Sequence, residues 1–331
     1  MSPGAELHLV PSLDFNDGLG AYARCIAGEP ALLSPELAGP IPAGCRTLVL
    51  HFSGYGYASN GAPGGLIAEL CRWRQASPER RLLVVFHELF ARQPPWRKGF
   101  WWAPLQRRLL QRLIACCDGG LSTLELHTGW LRRQGLEPFA TLPVPSNVGE
   151  TAAPLHLPQR APQLVVFGGR SQRQAAYNAL LRHPGLLERL QIARIHDVGP
   201  PLAQSPRHAS LPIQCHGLLP EAEVAALLGQ SLLAAVSYPL PFLAKSGIFA
   251  AICAHGALPL VLDSGRHCAA EADGLQAGRT FITSAWLQSQ HSPATALANA
   301  ASIAEAAWSW YLPHRLTAQR KHFRAWLGLD H

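Results

Sequence analysis

The chain has 331 residues, 48% hydrophobic and 15% charged, enough apolar material for the cores of two ordinary domains and too much for extensive disorder. No apolar run approaches the roughly 18–20 residues that span a bilayer, and the start, MSPGAELHLV, lacks the basic and long apolar segments of a signal peptide. The formal charge of +7 allows nucleic acid, an anionic membrane face or a phosphorylated small molecule as partner, and only its distribution can choose among them.

Eight cysteines are scattered without a CxxC pair, mostly in apolar context. That favours buried thiols of a reducing compartment over a zinc site or a disulfide framework, so the expectation is a cytoplasmic protein without a metal.

Residues 7–11 read as a first strand, followed by the loop Asp14-Phe15-Asn16-Asp17-Gly18-Leu19-Gly20 and a helix over 21–27. A glycine-rich loop after the first strand is the usual ligand-facing turn of a doubly wound sheet, and this one is not the GxGxxG dinucleotide fingerprint. Residues 47–51 form a second predicted strand, 65–76 a helix and 82–86 a third strand ending in His87-Glu88. His51 and His87 then fall at the carboxyl ends of predicted parallel strands, the edge where open α/β sheets bind ligands. His87 or Glu88 could take a proton from an attacking hydroxyl, with His51 beside them.

The stretch after these residues is basic and aromatic. Between Leu89 and Cys117 there are six basic residues and no acidic one, and Trp96, Arg97, Lys98, Trp101 and Trp102 lie in a predicted loop before a helix over 104–116. Tryptophans beside basic residues suit a membrane–water interface. No recognised nucleic-acid module accompanies them, which disfavours nucleic acid as partner. A strand over 119–123, a helix over 124–134 and a strand over 141–144 complete the first half, and the proline-rich stretch 153–162 reads as a linker.

The second half alternates in the same way. A strand over 163–167 runs into Gly168-Gly169-Arg170-Ser171-Gln172-Arg173, whose glycines would let backbone N–H groups approach an anion while Arg170 or Arg173 supplies charge. Further strands are predicted over 191–197, 213–217 and 232–236, with a helix starting at Pro220. Tyr238-Pro239-Leu240-Pro241 cannot be helical. Lys245-Ser246-Gly247 opens an apolar helix over 248–254, Gly256 stops it, and 258–262 is another buried strand. Lys245 stands out because the chain has only two other lysines, Lys98 and Lys321. Helices over 294–310 and to about residue 326 end the chain.

Taken together, DGLGAYAR, VVFHEL, FGGRSQR, CHGLLPEAEVAALL, AKSGIFAAICAHGALPLV and WSWYLPHR, in that order, resemble the nucleotide-sugar glycosyltransferases of GT-B fold, closest to the large retaining family that builds bacterial polysaccharides. The resemblance spans nearly the whole chain. It implies an α/β protein of two Rossmann-like, doubly wound domains facing a central cleft: residues 1–152 for the acceptor, 163–312 for the nucleotide sugar, and 313–331 crossing back toward the first domain. It further implies Arg170, Arg173 and Lys245 as diphosphate cations, Ser246 and Gly247 as backbone donors, and His216, Gly217 and Leu218 along the base. Asp17, Gly18 and Gly20 would form the acceptor loop, Trp310-Tyr311 would lie where the chain crosses back, and neither a metal nor another cofactor would be needed. The implied reaction moves a sugar to a hydroxyl, and the basic Trp/Arg stretch adds the expectation of a lipid-linked glycan acceptor at the cytoplasmic membrane face. Many relatives carry two glutamates, where this chain has apolar residues near Leu243 and Ala251. A non-catalytic sugar-nucleotide or glycan-binding relative is therefore the alternative. A dehydrogenase or sugar-nucleotide epimerase ranks lower, for want of GxGxxG.

Overall fold

The computed structural model describes residues 6–12, 18–27, 31–33, 41–42, 44–183, 185–208, 210–262, 272–290 and 292–328. It divides into two compact units, Met1–Pro143 with Gln319–His331, and Val144–Ala318.

The first unit runs β1 (Glu6–Leu9), α1 (Gly18–Ala27), β2 (Ala31–Leu33), β3 (Thr47–Phe52), α2 (Gly54–Tyr57), α3 (Gly64–Gln75), β4 (Arg81–Phe86), α4 (Lys98–Cys116), β5 (Gly119–Ser122) and α5 (Glu125–Arg133). Its five strands are parallel, in the order β2-β1-β3-β4-β5. β3 and β4 read TLVLHF and RLLVVF and are buried almost throughout, as strands covered on both faces must be. Leu48, Leu50, Leu82 and Val84 pack with Ile67 and Leu70 of α3 and with Leu110 and Leu113 of α4. In this order the chain reverses direction between β1 and β3, so the ligand-binding crevice of such a sheet lies at the carboxyl ends of those two strands.

Three expectations change here. α4 starts six residues before Pro104, so Trp101 and Trp102 lie on its first turns rather than in a loop. Pro104 has no amide to pair with the Phe100 carbonyl, and the helix continues past it. Residues 141–144 make only a single bridge, Thr141 to Ser122, so the expected strand is absent. Finally, Cys71 of α3 and Cys116 of α4 form a disulfide, their Cα atoms 5.6 Å apart, where the sequence favoured buried thiols over a disulfide framework. The two cysteines are 45 residues apart in sequence, and only the packing of α3 against α4 brings them together.

The second unit runs β6 (Ala161–Phe167), α6 (Arg170–Leu181), β7 (Arg194–Val198), β8 (Ile213–Gly217), α7 (Glu221–Gln230), β9 (Ser231–Val236), a 3₁₀ turn (Leu240–Lys245), α8 (Gly247–Ala254), β10 (Leu258–Val261), β11 (Ile282–Thr283), α9 (Ser284–Ser289), α10 (Pro293–Tyr311) and the start of α11 (Leu316–Leu327). Six parallel strands lie in the order β11-β10-β9-β6-β7-β8, with the reversal between β6 and β9. That is the doubly wound order of dinucleotide-binding sheets.

Residues 144–150 and the segment expected as a linker, 153–162, are both hydrogen-bonded within this unit. Val144 N–H donates to the Ala244 carbonyl, Ser146 N–H to the Tyr311 hydroxyl, and the Tyr311 hydroxyl to Glu150. The guanidinium of buried Arg160 donates to the carbonyls of Leu155, Leu228, Ser231 and His255.

Candidate functional site

In the second unit the carboxyl edge of the sheet is stitched by backbone. Gly199 N–H donates to the Gly217 carbonyl at 2.7 Å, and Gly168 N–H to the Val198 carbonyl at 3.1 Å. Gly168 has φ +119°, and a Cβ there would collide with Ile248 Cδ1, so the turn after β6 lies directly against the first turn of α8. The two candidate anion-binding turns, Gly168–Arg170 and Lys245–Gly247, thus meet at the strand reversal, where β6 and β9 are neighbours.

At α8 the Ser246 hydroxyl accepts from Phe249 N–H at 3.2 Å, and Ser246 N–H itself donates to the Leu243 carbonyl. This corrects the expectation that Ser246 supplies a backbone donor: its amide closes the preceding 3₁₀ turn. The amides of Gly247 and Ile248 are the first-turn donors that the helix leaves for a ligand. Lys245, half-buried, ends the 3₁₀ turn immediately before them. Sequence reasoning missed Asn147, whose side-chain carbon would lie 3.5 Å from a Cβ on Gly247.

Arg170 is exposed at the start of α6, its Nε donating to the Pro201 carbonyl at 2.8 Å. Arg173 is different. It is 1% exposed, donates from Nε and Nη2 to Asp197 at 3.0 and 2.6 Å, and from Nη1 to the Pro200 carbonyl. Tyr177 donates to the same Asp197 carboxylate. Arg173 therefore holds the β7 end in place and is not offered to a diphosphate, contrary to expectation.

Gly217 has φ +70° and Leu218 is 76% exposed, while His216 hydrogen-bonds through Nε2 to His196 Nδ1 at 2.9 Å. The hydrogen bonds assign the tautomers along this row. Ser231 donates to the Leu227 carbonyl and so accepts from the Gln163 amide, which turns Gln163 Oε1 toward His196 Nε2. His196 must then be protonated at Nε2 and accept at Nδ1, leaving His216 protonated at Nε2 with Nδ1 as an acceptor. Burial first, then His216 and Arg194, lower the His196 pKa and keep that ring neutral.

In the first unit, His51 Nδ1 lies 3.2 Å from His87 Nε2, and His51 Nε2 lies 2.9 Å from His8 Nδ1. All three rings are buried. The edge of Tyr22, from α1, packs on His87 with centroids 4.7 Å apart. Burial, then His8 and His87, push His51 well below the ordinary histidine range. Glu88 accepts from the Ser53 hydroxyl at 2.7 Å. Gly18 and Gly20 belong to the first turn of α1, and Asp17 lies outside the described residues. His8 was missed; the period-2 spacing of β1 against β3 places it on the same face as His51, a signal visible only once the register is known.

Around α4, Trp96 and Trp101 are 79% and 72% exposed, and Phe100, Trp102 and Leu105 are also open. Arg97 and Lys98 sit among them, exposed. A separate cavity of about 690 Å³ lies between residues 148–155, α7 and His255, and none of the sequence-predicted site residues lines it. Among the described residues, no group of three or more His, Cys, Asp or Glu side chains is placed to hold a metal ion, and no helix is long and apolar enough to cross a membrane.

No protein-family profile and no curated protein sequence matches the chain. Solved structures do. An alpha-glucosyltransferase in complex with UDP and a 13-mer DNA is similar at a TM-score of 0.55 and 10% identity, over 98% of this chain and 99% of that one. A Listeria monocytogenes protein described as a UDP-N-acetylglucosamine 2-epimerase is similar at 0.53 and 12% identity, over 97% of each chain. S. aureus MnaA, solved with UDP, is similar at 0.50 and 10% identity, over 99% of this chain and 98% of its own. Likeness at such identities speaks for architecture. The chain has a GT-B fold, like that of nucleotide-sugar glycosyltransferases.

Proposed function

We propose that this protein is a glycosyltransferase that moves a sugar from a nucleoside diphosphate sugar to a hydroxyl acceptor. One observation carries the reading: the Gly168–Arg170 turn and the Lys245–Gly247 helix start converge at the β6/β9 reversal, in a fold shared with proteins solved with UDP. The Gly247 and Ile248 amides and the dipole of α8 favour a diphosphate there, and Lys245 and Arg170 supply cationic charge as the leaving group forms. His216 and Gly217 line the base. The acceptor belongs to the first unit, at the Asp17, Gly18 and Gly20 loop, with His87 or Glu88 receiving its proton. The proposed outcome is retention of anomeric configuration without a metal, which the anomer of the product and activity in chelator would check.

The exposed Trp96, Phe100, Trp101 and Trp102, with Arg97 and Lys98 among them, support peripheral contact with an anionic membrane and hence a lipid-linked acceptor in polysaccharide synthesis. The DNA-bound neighbour shows that this architecture does not itself exclude nucleic acid.

A second reading is a nucleotide-sugar epimerase, favoured by the likeness to the Listeria protein. The lack of GxGxxG does not argue against an epimerase of this fold. Incubation with UDP-, GDP- and ADP-sugars, with and without lipid extract or duplex DNA, separates the readings. Acceptor-dependent release of the nucleoside diphosphate supports transfer. A C2-epimerised sugar without acceptor would establish the second reading, and binding without turnover a non-catalytic relative, consistent with the buried apolar Leu243 and Ala251.

A further inference from the structure

The row of histidines in the first unit does not end at His8. His8 Nε2 lies 3.4 Å from Glu6 Oε1, two residues earlier on the same strand face. Glu6, His8, His51 and His87 therefore form one hydrogen-bonded file that starts at the beginning of β1, crosses the β1/β3 reversal and ends at the carboxyl edge of β4. The three rings are buried, whereas the Glu6 side chain is 23% exposed. Tyr22 of α1 packs edge-on against His51 and His87, Phe323 of α11 packs against His8, and Tyr22 is the titratable group these contacts add.

A carboxylate can only accept hydrogen bonds, so His8 must be protonated at Nε2. With His8 neutral, its Nδ1 accepts from His51 Nε2–H, His51 Nδ1 accepts from His87 Nε2–H, and His87 carries its lone pair on Nδ1. We propose that Glu6 and His8, acting through His51, are positioning residues that make His87 a directional proton acceptor. This deepens the transferase reading and rests on it for the identity of the hydroxyl that gives up the proton.

The file also has a place for the charge. When His87 Nδ1 takes a proton, the Nε2 proton of His87 passes to His51 Nδ1, and the Nε2 proton of His51 passes to His8 Nδ1. One proton has entered, no bond other than N–H has changed, and the positive charge now rests on His8 beside the Glu6 carboxylate. Reversal of the same shifts returns the proton through His87. Burial and the flanking rings disfavour a cation at His51, which suits a residue that hands protons on. Orientation of a base by a carboxylate behind it is the logic of hydrolase triads, extended here by two rings.

The test is a long-range ¹H–¹⁵N correlation spectrum of the full chain with ¹⁵N-labelled histidine, recorded well above the ordinary histidine pKa of about 6.5. Assignment uses His8→Gln and His87→Gln. The expected result is that His8, His51 and His87 are all protonated at Nε2. In Glu6→Gln the new amide can donate as well as accept, so the opposite tautomers become allowed and His87 gains a population with Nδ1–H. The same variant should lower kcat for transfer about tenfold or more with KM unchanged, which loss of a merely structural contact would not do. A native His87 bearing Nδ1–H, or an unchanged kcat in Glu6→Gln, would overturn the proposal. Tautomers as expected in a protein that transfers sugar from no donor would sink the transferase reading and leave the file standing.

Discussion

A guanidinium that donates to internal acceptors from all of its nitrogens can be buried at modest cost, and Arg173 meets that condition through Asp197 and the Pro200 carbonyl. Removing one partner leaves a buried charge uncompensated. Asp197→Ala should therefore destabilise the protein by about 3–5 kcal/mol in denaturant titration, and Arg173→Met should be milder than Asp197→Ala. Gly168 is constrained twice, by its φ of +119° and by Ile248. Gly168→Ala should lower stability by roughly 1–3 kcal/mol and weaken nucleotide binding further, because the shift displaces the α8 start. Such a variant that bound nucleotide as tightly as the native chain would argue against a site at that turn.

At the scale of elements, α4 joins two separate features. Its first turns carry the exposed aromatic and basic side chains, and its last residue, Cys116, is bonded to α3. Co-sedimentation with anionic vesicles at low salt should be strong for the native chain and largely lost in Trp96→Ala/Trp101→Ala. It should also fall as salt rises, since charge attraction is screened within about 10 Å at 0.1 M. Reduction of the disulfide, or Cys71→Ser, should lower stability by about 2–4 kcal/mol, read as a lower urea midpoint. The strands of both sheets were legible because continuous apolar runs such as RLLVVF and SLLAAV suit only a strand buried on both faces. β2 and β11 were not legible, being three and two residues whose pairing with β1 and β10 supplies what their own sequences lack. In the candidate site the sequence showed where glycine meets a backbone need, at Gly168 and Gly217, but not that Ser246 caps α8 with its hydroxyl instead of offering its amide. It was misread at Arg173, because nothing in FGGRSQR tells which arginine turns inward to a carboxylate 24 residues away. His8 and Asn147 escaped for the same reason: their roles depend on neighbours supplied by tertiary structure.

For the whole molecule, several histidines are held neutral by burial. His51, His196 and His255 lie below the ordinary value, and burial brings His314 down to about 4. A depressed histidine pKa means that the unfolded chain takes up protons first. Stability is thus fully present above about pH 6.5 and is lost as pH falls toward 4. The urea midpoint should be clearly lower at about pH 5 than at about pH 7.5, and a midpoint that rose on acidification would contradict these assignments.

A thermal-shift series decides whether a nucleoside diphosphate is held at the β6/β9 reversal. UDP, GDP, ADP, CMP, dTDP and NAD would each be added to the native chain and to Lys245→Ala, since a ligand that binds only the folded state raises Tm. Stabilisation by one nucleoside diphosphate, lost in the variant, is the expected result. Stabilisation by NAD alone, or an equal response with and without the Lys245 amine, would contradict it.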